Sequence, residues 1–441
     1  MNVNTYEKLL RKQSKLSVLG LGYVGMPLVK AFSEKVQVIA FDISEHAIKL
    51  CRDVILDVPK LDNVPSNGNC VEYTNDSSKL SEAVFHIIAV PTPVNIDKTP
   101  DLSFLENACE ILGKNLARDS FVVFESTVYP SVTEDVCIPI LERASGLKVG
   151  TDFKVGYSPE RINPSDTKNT LESIVKIVSA TDDDALEIIA LVYKLIVSAG
   201  VYKASSIKIA EAAKLIENSQ RDLNVAFLNE ISIIFKEVDI DTSDVISAMN
   251  TKWNSLKFTP GLVGGHCIGV DPYYLRYWAE KEGCQSLLVS TGRKINDEMS
   301  KFVADAIIRK LIVTEKKIKD AKIAIFGITF KENCPDHRNS RAIDIIDILK
   351  TYGIQPIIVD PIADKLDILN TYEIELQCLK TVKNMDCLVF LVAHDIFNNI
   401  IQDNIELYFK DLPNKEKIII DVKSIFNKTD VREKGYTYWC L

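Results

Sequence analysis

Leu16-Ser17-Val18-Leu19-Gly20-Leu21-Gly22-Tyr23-Val24-Gly25-Met26-Pro27-Leu28-Val29-Lys30 decides how the first half of this chain folds. A short apolar run ends in G-x-G-x-x-G, and a helical pattern follows. Glycines at these spacings permit a tight turn, let a pyrophosphate approach the backbone, and let a helix pack closely on a strand. The phosphates would sit on the N-terminus of that helix. The next apolar run, Val36–Phe41, ends at Asp42. An acid there suits a ribose 2′-hydroxyl and repels a 2′-phosphate, so NAD is expected rather than NADP.

Working outward, Val84–Val90 and Phe121–Phe124 are further β-rich runs, with helical stretches Met26–Glu34 and Leu102–Leu116 between strands. Alternating strand and helix predicts a parallel sheet with crossover helices. Phe153–Gly156, Ile174–Val178 and Val201–Lys203 extend the same half. From Ile207 to about Val238 helical periodicity runs without proline or glycine. A loop is expected from Lys252 to Tyr273, and more helix from Thr291 to Leu311. A second α/β pattern starts near Lys317, with strands at Lys322–Gly327, Pro356–Val359, Asp386–Val392 and Lys417–Asp421 and a helix at Arg341–Tyr352. The expected fold is α/β, with two Rossmann-like doubly wound domains joined by a long central helix and a helical middle domain. The boundaries fall at 1–205, 206–312 and 313–441.

The net charge of −9 over 441 residues argues against nucleic acid as a partner, since phosphate backbones need a basic surface. The ten cysteines stand singly, without a C-x-x-C pair, so no metal site is expected and the thiols read as reduced, in a cytoplasm. Met1–Lys15 lacks the apolar core of a signal peptide. No apolar run approaches the roughly 20 residues of a spanning helix, so no membrane association is expected.

Gly264-Gly265-His266-Cys267-Ile268-Gly269-Val270-Asp271 carries the chemistry. A thiol framed by glycines is open to close approach by a substrate, and an acid four residues on could hold a proton or a water. Together with a dinucleotide, such a thiol equips a protein to take an alcohol past the aldehyde to an acid. A buried structural thiol is the alternative. His266, adjacent to the thiol, reads as a loop hydrogen-bonder. Lys214 and Asn218, at i and i+4, share a helix face; they are a solvated pair unless that face meets the cysteine loop. Ser126-Thr127-Val128-Tyr129-Pro130 and Tyr157-Ser158-Pro159-Glu160-Arg161-Ile162-Asn163-Pro164 follow strands, where open α/β sheets place ligands. Lys331 and Arg338 follow the first strand of the second half; they suit a phosphate or a sugar, or form a solvated basic loop.

In their order, these motifs resemble the UDP-glucose/GDP-mannose dehydrogenase family, from Leu16 to about Lys423. The resemblance implies oxidation of a nucleotide sugar at C6 with two NAD. It makes Cys267 the nucleophile and puts Lys214, Asn218 and Asp271 at a polar centre near C6. Thr127 and Glu160 would hold water and assist proton transfer. Cofactor contacts would come from Gly20, Gly22, Tyr23, Val24, Gly25, Asp42, Thr92, Thr127 and Arg338. Substrate contacts would come from Glu160, Arg161, Lys214, Asn218, Phe258, Gly264 and Lys331. The central helix would form the interface of a homodimer or higher homo-oligomer, and the last domain would bind the UDP-sugar.

Within the family the chain looks closest to bacterial UDP-N-acetylhexosamine 6-dehydrogenases, which implies a role in surface polysaccharide precursors. UDP-glucose enzymes typically show P-E-F-L-x-E-G and G-F-G-G-S-C. Here Pro164 replaces the second glutamate and Val263 the phenylalanine, and Ser165 stands where the subgroup commonly has glycine. The smaller residue at 263 suggests room for a 2-acetamido group. UDP-glucose and UDP-N-acetylmannosamine remain alternative substrates. A two-electron dehydrogenase with a structural Cys267, and a non-catalytic NAD-binding regulator, are the rival functions.

Overall fold

The computed structural model describes residues 5–56, 70–162, 169–397 and 405–441. Contacts divide the chain into two compact units, Met1–Glu217 with Tyr273–Cys284, and Asn218–Pro272 with Gln285–Leu441. Asn163, Pro164 and Ser165 lie outside the described residues.

In the first unit eight strands form one sheet. They are β1 (Lys15–Leu19), β2 (Val38–Phe41), β3 (Val71–Thr74), β4 (Ala83–Ile88), β5 (Ser120–Phe124), β6 (Phe153–Tyr157), β7 (Lys176–Ala180) and β8 (Val201–Lys203). Their order is β3-β2-β1-β4-β5-β6-β7-β8. The first six stand in the 3-2-1-4-5-6 order of dinucleotide-binding sheets, whose ligands lie outside the carboxyl ends of the strands. One pairing departs from the expected parallel sheet, because β6 and β7 are antiparallel, Gly156 opposite Ala180. Among the described residues between them there is no helix, whereas a parallel pair needs a crossover connection. The pattern reading also missed β3, whose four residues are all half-buried rather than apolar on both faces.

The second unit carries β9 (Ile323–Phe326), β10 (Ile357–Val359), β11 (Cys387–Phe390), β12 (Ile418–Asp421) and β13 (Thr437–Cys440), all parallel, in the order β10-β9-β11-β12-β13. Every residue of β9, β11 and β12 is buried, which is why these strands read as unbroken apolar runs. On one face Phe326 stacks on Phe390 at 4.6 Å between ring centroids.

Both sheets use one device at the end of their first strand. Gly20 has φ +94° and Gly327 φ +92°, and a Cβ on either would strike the segment after a neighbouring strand, at Ala89 O or Val392. An aspartate ending the second strand then ties the loop down. Asp42 Oδ2 accepts from Leu21 N at 2.9 Å, and Asp360 Oδ2 from Ile328 N at 2.8 Å.

The long helix Ile207–Glu237 runs unbroken, as its periodicity predicts. The loop expected to reach Tyr273 is shorter, since the helix Asp271–Lys281 begins at Asp271. An acid in the first turn and proline next to it are favourable at a helix start. No helix among the described residues is long and apolar enough to cross a membrane.

Candidate active site

The glycine loop of the first unit divides its labour. Gly25 packs so closely that a Cβ would lie 1.8 Å from Gly20 O, whereas a Cβ on Gly22 would meet nothing within 4 Å. Gly22 therefore faces open space at the entrance to the helix Gly25–Ser33, and a helix N-terminus favours an anion. Tyr23 beside it is half exposed, and Val24 offers the helix no side-chain cap. Asp42 is half-buried and accepts from Ser44 N at 2.8 Å as well as from Leu21 N. The open glycine, the uncapped helix start and the acid fit NAD. Thr92 follows β4, and its carbonyl accepts from the Tyr274 hydroxyl at 3.0 Å.

Thr127 lies half-buried just beyond β5. The loop it belongs to is anchored by Glu211 on the long helix, whose carboxylate accepts from Ser131 N at 2.7 Å and Thr133 N at 3.0 Å. Burial pushes the Glu211 carboxyl up to about 7. This anchor was not foreseen, although Glu211 stands in the same E-A-A-K segment as Lys214. Glu160 is 9% exposed, follows β6, and accepts from Ile162 N. Arg161 is engaged by Glu217 at 2.9 Å and by Val175 O at 3.1 Å. Lys214, also in this unit, is 6% exposed, which rules out the reading of a solvated lysine.

In the second unit the cysteine loop runs straight into a helix. Asp271 N donates to Cys267 O at 2.9 Å, so the half-buried Cys267 sits one turn ahead of Asp271. Asn218 Nδ2 donates to Asp271 Oδ2 at 2.6 Å. The expectation that the glycines open the thiol to substrate needs correction. A Cβ on Gly264 would lie 2.5 Å from Asn339 O, on Gly265 2.7 Å from the Phe330 ring, and on Gly269 2.9 Å from Gly265 O. Protein atoms already fill those places, so these glycines let the loop pack.

A buried polar network supports the loop, and the sequence reading missed it. Arg293 pairs with Asp222 at 2.5 Å and with Asp297 at 2.7 Å, and reaches Ile268 O at 3.4 Å. Asn296 donates to Asp222 at 2.7 Å, and Asn229 exchanges hydrogen bonds with Gly261 at 2.8 and 3.0 Å. Its legible signal is the polar row Lys214, Asn218, Asp222 and Asn229, four, four and seven residues apart on one helix face.

Phe258 is half-buried on the approach to the loop. Val263 is 6% exposed and offers a substrate almost no surface, so the room inferred from its size is not visible here. Its carbonyl accepts from Arg341 Nε at 3.1 Å. Gly264 and Lys331 line a small basic cavity with Phe330, Arg341 and Lys423. Arg338 makes a two-pronged pair with Asp336 at 2.8 and 2.9 Å, and His266 approaches the same carboxylate at 3.3 Å. Burial pushes Asp336 up, but hydrogen bonds from His266 and Arg338 outweigh it and hold the carboxyl well below its ordinary range.

A dinucleotide loop at the edge of a parallel sheet and a thiol loop braced beside a buried acid define an NAD-dependent oxidoreductase. Comparison with known proteins narrows the class. Residues 14–197 match the NAD binding domain of the UDP-glucose/GDP-mannose dehydrogenase family, 208–298 its central domain and 324–428 its UDP binding domain. Protein CapL of Staphylococcus aureus is 46% identical over 94% of this chain and 97% of its own length. A UDP-N-acetyl-D-glucosamine 6-dehydrogenase of Salmonella typhi is 42% identical over 95% of this chain and 98% of its own. A solved UDP-D-ManNAc dehydrogenase from Pyrococcus horikoshii superposes with TM-score 0.84 at 27% identity, covering 97% and 98% of the two chains. The chain belongs to the UDP-glucose/GDP-mannose dehydrogenase family and is an NAD-dependent nucleotide-sugar 6-dehydrogenase.

Proposed function

We propose that this enzyme oxidises C6 of a UDP-N-acetylhexosamine, UDP-N-acetylglucosamine first, through a covalent thioester on Cys267. The observation that carries the reading is Asp271, tied to the Cys267 backbone by its own N–H and to Asn218 by its side chain. That arrangement fixes an acid one turn from a thiol, in a buried setting. The relatives named for UDP-N-acetyl-D-glucosamine support the choice of sugar.

NAD, used twice, takes up the four electrons. The chain's own residues handle the carbon and the protons. Cys267 thiolate adds to the C6 aldehyde and retains it as a thiohemiacetal. Oxidation of that adduct leaves a thioester. Water then adds to its carbonyl carbon, the C–S bond breaks, and the thiolate departs. The net change is R–CH2OH, two NAD+ and water to R–COO−, two NADH and three protons. Covalent capture splits one difficult oxidation into easier steps. Lys214 supplies positive charge to the oxyanions, Asp271 and Asn218 hold the proton traffic near C6, and Thr127 and Glu160 orient the hydrolytic water. Arg161, Phe258, Gly264 and Lys331 bind the substrate, Thr92 and Arg338 the cofactor. The enzyme works as a homodimer or higher homo-oligomer in the cytoplasm.

The test is stoichiometry with trapping. UDP-N-acetylglucosamine should yield two NADH per molecule, and Cys267→Ser should lose full turnover while still binding NAD. One NADH per substrate, or near-normal turnover of the serine variant, would sink the thioester. A side-by-side panel with UDP-N-acetylgalactosamine, UDP-N-acetylmannosamine and UDP-glucose decides the sugar.

A further inference from the structure

Where the carboxyl ends of β5 and β6 meet the amino end of β7 lies a closed group of charges, of which the mechanism above uses only Glu160. Lys176 opens β7 and is 4% exposed; its ammonium lies 2.6 Å from Glu125 Oε2 and 3.5 Å from Glu160 Oε2. Glu125 directly follows β5 and is 1% exposed. Its other oxygen accepts from the Tyr193 hydroxyl at 2.6 Å, and the Tyr193 ring lies under the Lys176 ammonium at 5.5 Å. Glu125 is chemically remarked by its place as well, two residues before Thr127.

One cation therefore serves two carboxylates in a space nearly closed to water. Stability alone does not account for such a group, since replacing a buried ion pair by apolar residues is often neutral or stabilising. Of the two carboxylates, Glu125 is locked on both oxygens, whereas Glu160 reaches the cation at longer range and takes its other bond from Ile162 N. We propose that Lys176, clamped by Glu125 and Tyr193, is a positioning residue that fixes the orientation and charge of Glu160 for activation of the hydrolytic water. The inference rests on the role of Glu160 proposed above.

The surroundings support this division of work. Burial pushes Glu125 up to about 7, against the pull of Lys176 and with Glu160 adding to the rise. Lys176 is itself held above its ordinary value; burial works against that, and the two glutamates outweigh it. Two other polar groups lie nearby, and Ser158 also contacts the Tyr193 hydroxyl. Ser158 Oγ bonds Ile177 O at 2.8 Å, and Arg161 pairs with Glu217 at 2.9 Å.

Four proteins test the assignment: wild type, Glu125→Gln, the double variant Lys176→Met with Glu125→Gln, and Glu160→Gln as a control. In Glu125→Gln the cation serves Glu160 alone, so the acidic limb of the kcat profile should move to lower pH by about one unit. In the double variant, no buried charge is left without its former partner except Glu160. Its acidic limb should move up, kcat at pH 7 should fall about tenfold or more with KM for the UDP-sugar little changed, and acyl-enzyme should accumulate by intact-protein mass. A folded double variant with the wild-type profile and no acyl-enzyme overturns the inference. If the double variant does not fold, an unmoved acidic limb in Glu125→Gln overturns it. Failure of Glu160→Gln itself to accumulate acyl-enzyme would instead refute the role of Glu160, which separates the two readings.

Discussion

Asn218 donates its side-chain amide to Asp271 over 2.6 Å, and the two residues are 5% and 2% exposed. The pair joins the long helix to the first residue of the helix that follows the cysteine loop. An amide that can only donate at this contact holds the acid as an oriented acceptor. Asp271→Asn should therefore keep the fold and lower kcat by about 10²–10⁴, the range of a lost general acid or base. KM for the sugar should change much less. Steady-state kinetics with a circular-dichroism control checks this, and loss of binding with kcat intact would refute it.

Asp42 has two tasks, and one substitution should separate them. Its carboxylate accepts the N–H groups of Leu21 and Ser44 while remaining half-buried. Asp42→Ala should raise kcat/KM for NADP relative to NAD, because a 2′-phosphate no longer meets a negative charge. It should also cost about 1–3 kcal/mol of stability through the two unmade bonds. Equal use of both cofactors by the unmodified enzyme would show that Asp42 does not reach the ribose.

The parts legible in the sequence are those whose signal is local. The G-x-G-x-x-G loop, the apolar strands β9, β11 and β12 and the unbroken long helix each declare themselves within a few residues. So does the order of motifs that placed the family. Three features depend on packing and were not legible. β13 carries Thr437-Tyr438-Trp439-Cys440, short and only partly buried, so it lacks an apolar run. The antiparallel pairing of β7 rests on its contact with β6, which no local pattern in Lys176–Ala180 announces. The glycines around Cys267 looked like an opening for substrate, and only the neighbours Asn339 and Phe330 show them to be packing positions.

Those neighbours yield a graded prediction. Alanine at Gly264 would strike the carbonyl of Asn339, which is backbone and cannot step aside. Alanine at Gly265 would strike the Phe330 ring and also has to hold φ +82°. Each should destabilise the protein by about 1–3 kcal/mol, as overpacking does. Adding Phe330→Ala should return part of the loss at Gly265 and almost none at Gly264. Denaturant midpoints of the four variants form the test, and equal rescue at both sites would contradict the assigned contacts.

His86 makes acid stability a property of the first unit. It is fully buried in β4, with Nδ1 2.7 Å from Ser17 Oγ, and burial pushes its pKa down to about 3. The unfolded chain takes up this proton near 6.5 and the folded chain only near 3. Its contribution is thus fully present above 6.5 and declines as pH falls towards 3. The slope is at most about 1.4 kcal/mol per pH unit. Glu125 and Glu211, both raised to about 7, act in the opposite direction, gaining stability as pH falls from 7 towards 4.5. The clean observable is therefore a difference. His86→Leu should flatten the loss of stability between pH 6.5 and 4 relative to the unmodified protein. Parallel curves would mean that His86 is not neutral and buried in solution.

The long helix presents a row of exposed apolar side chains. Ile209, Ile216, Phe227 and Ile234 are 50%, 55%, 59% and 50% exposed. They stand seven, eleven and seven residues apart, which at 3.6 residues per turn returns each to the same face. Val238, one turn beyond Ile234, continues the row at 59% exposure. An exposed apolar stripe of this kind suits an interface, and a two-fold interface would use the same stripe twice. The chain of 49.4 kDa should therefore migrate as an oligomer in size exclusion with light scattering. Phe227→Glu with Ile234→Glu should convert it to monomer. Because both side chains already face outward, the double variant should keep its circular-dichroism spectrum and its NAD binding. An oligomer that survives both charges would place the interface on another face of the molecule.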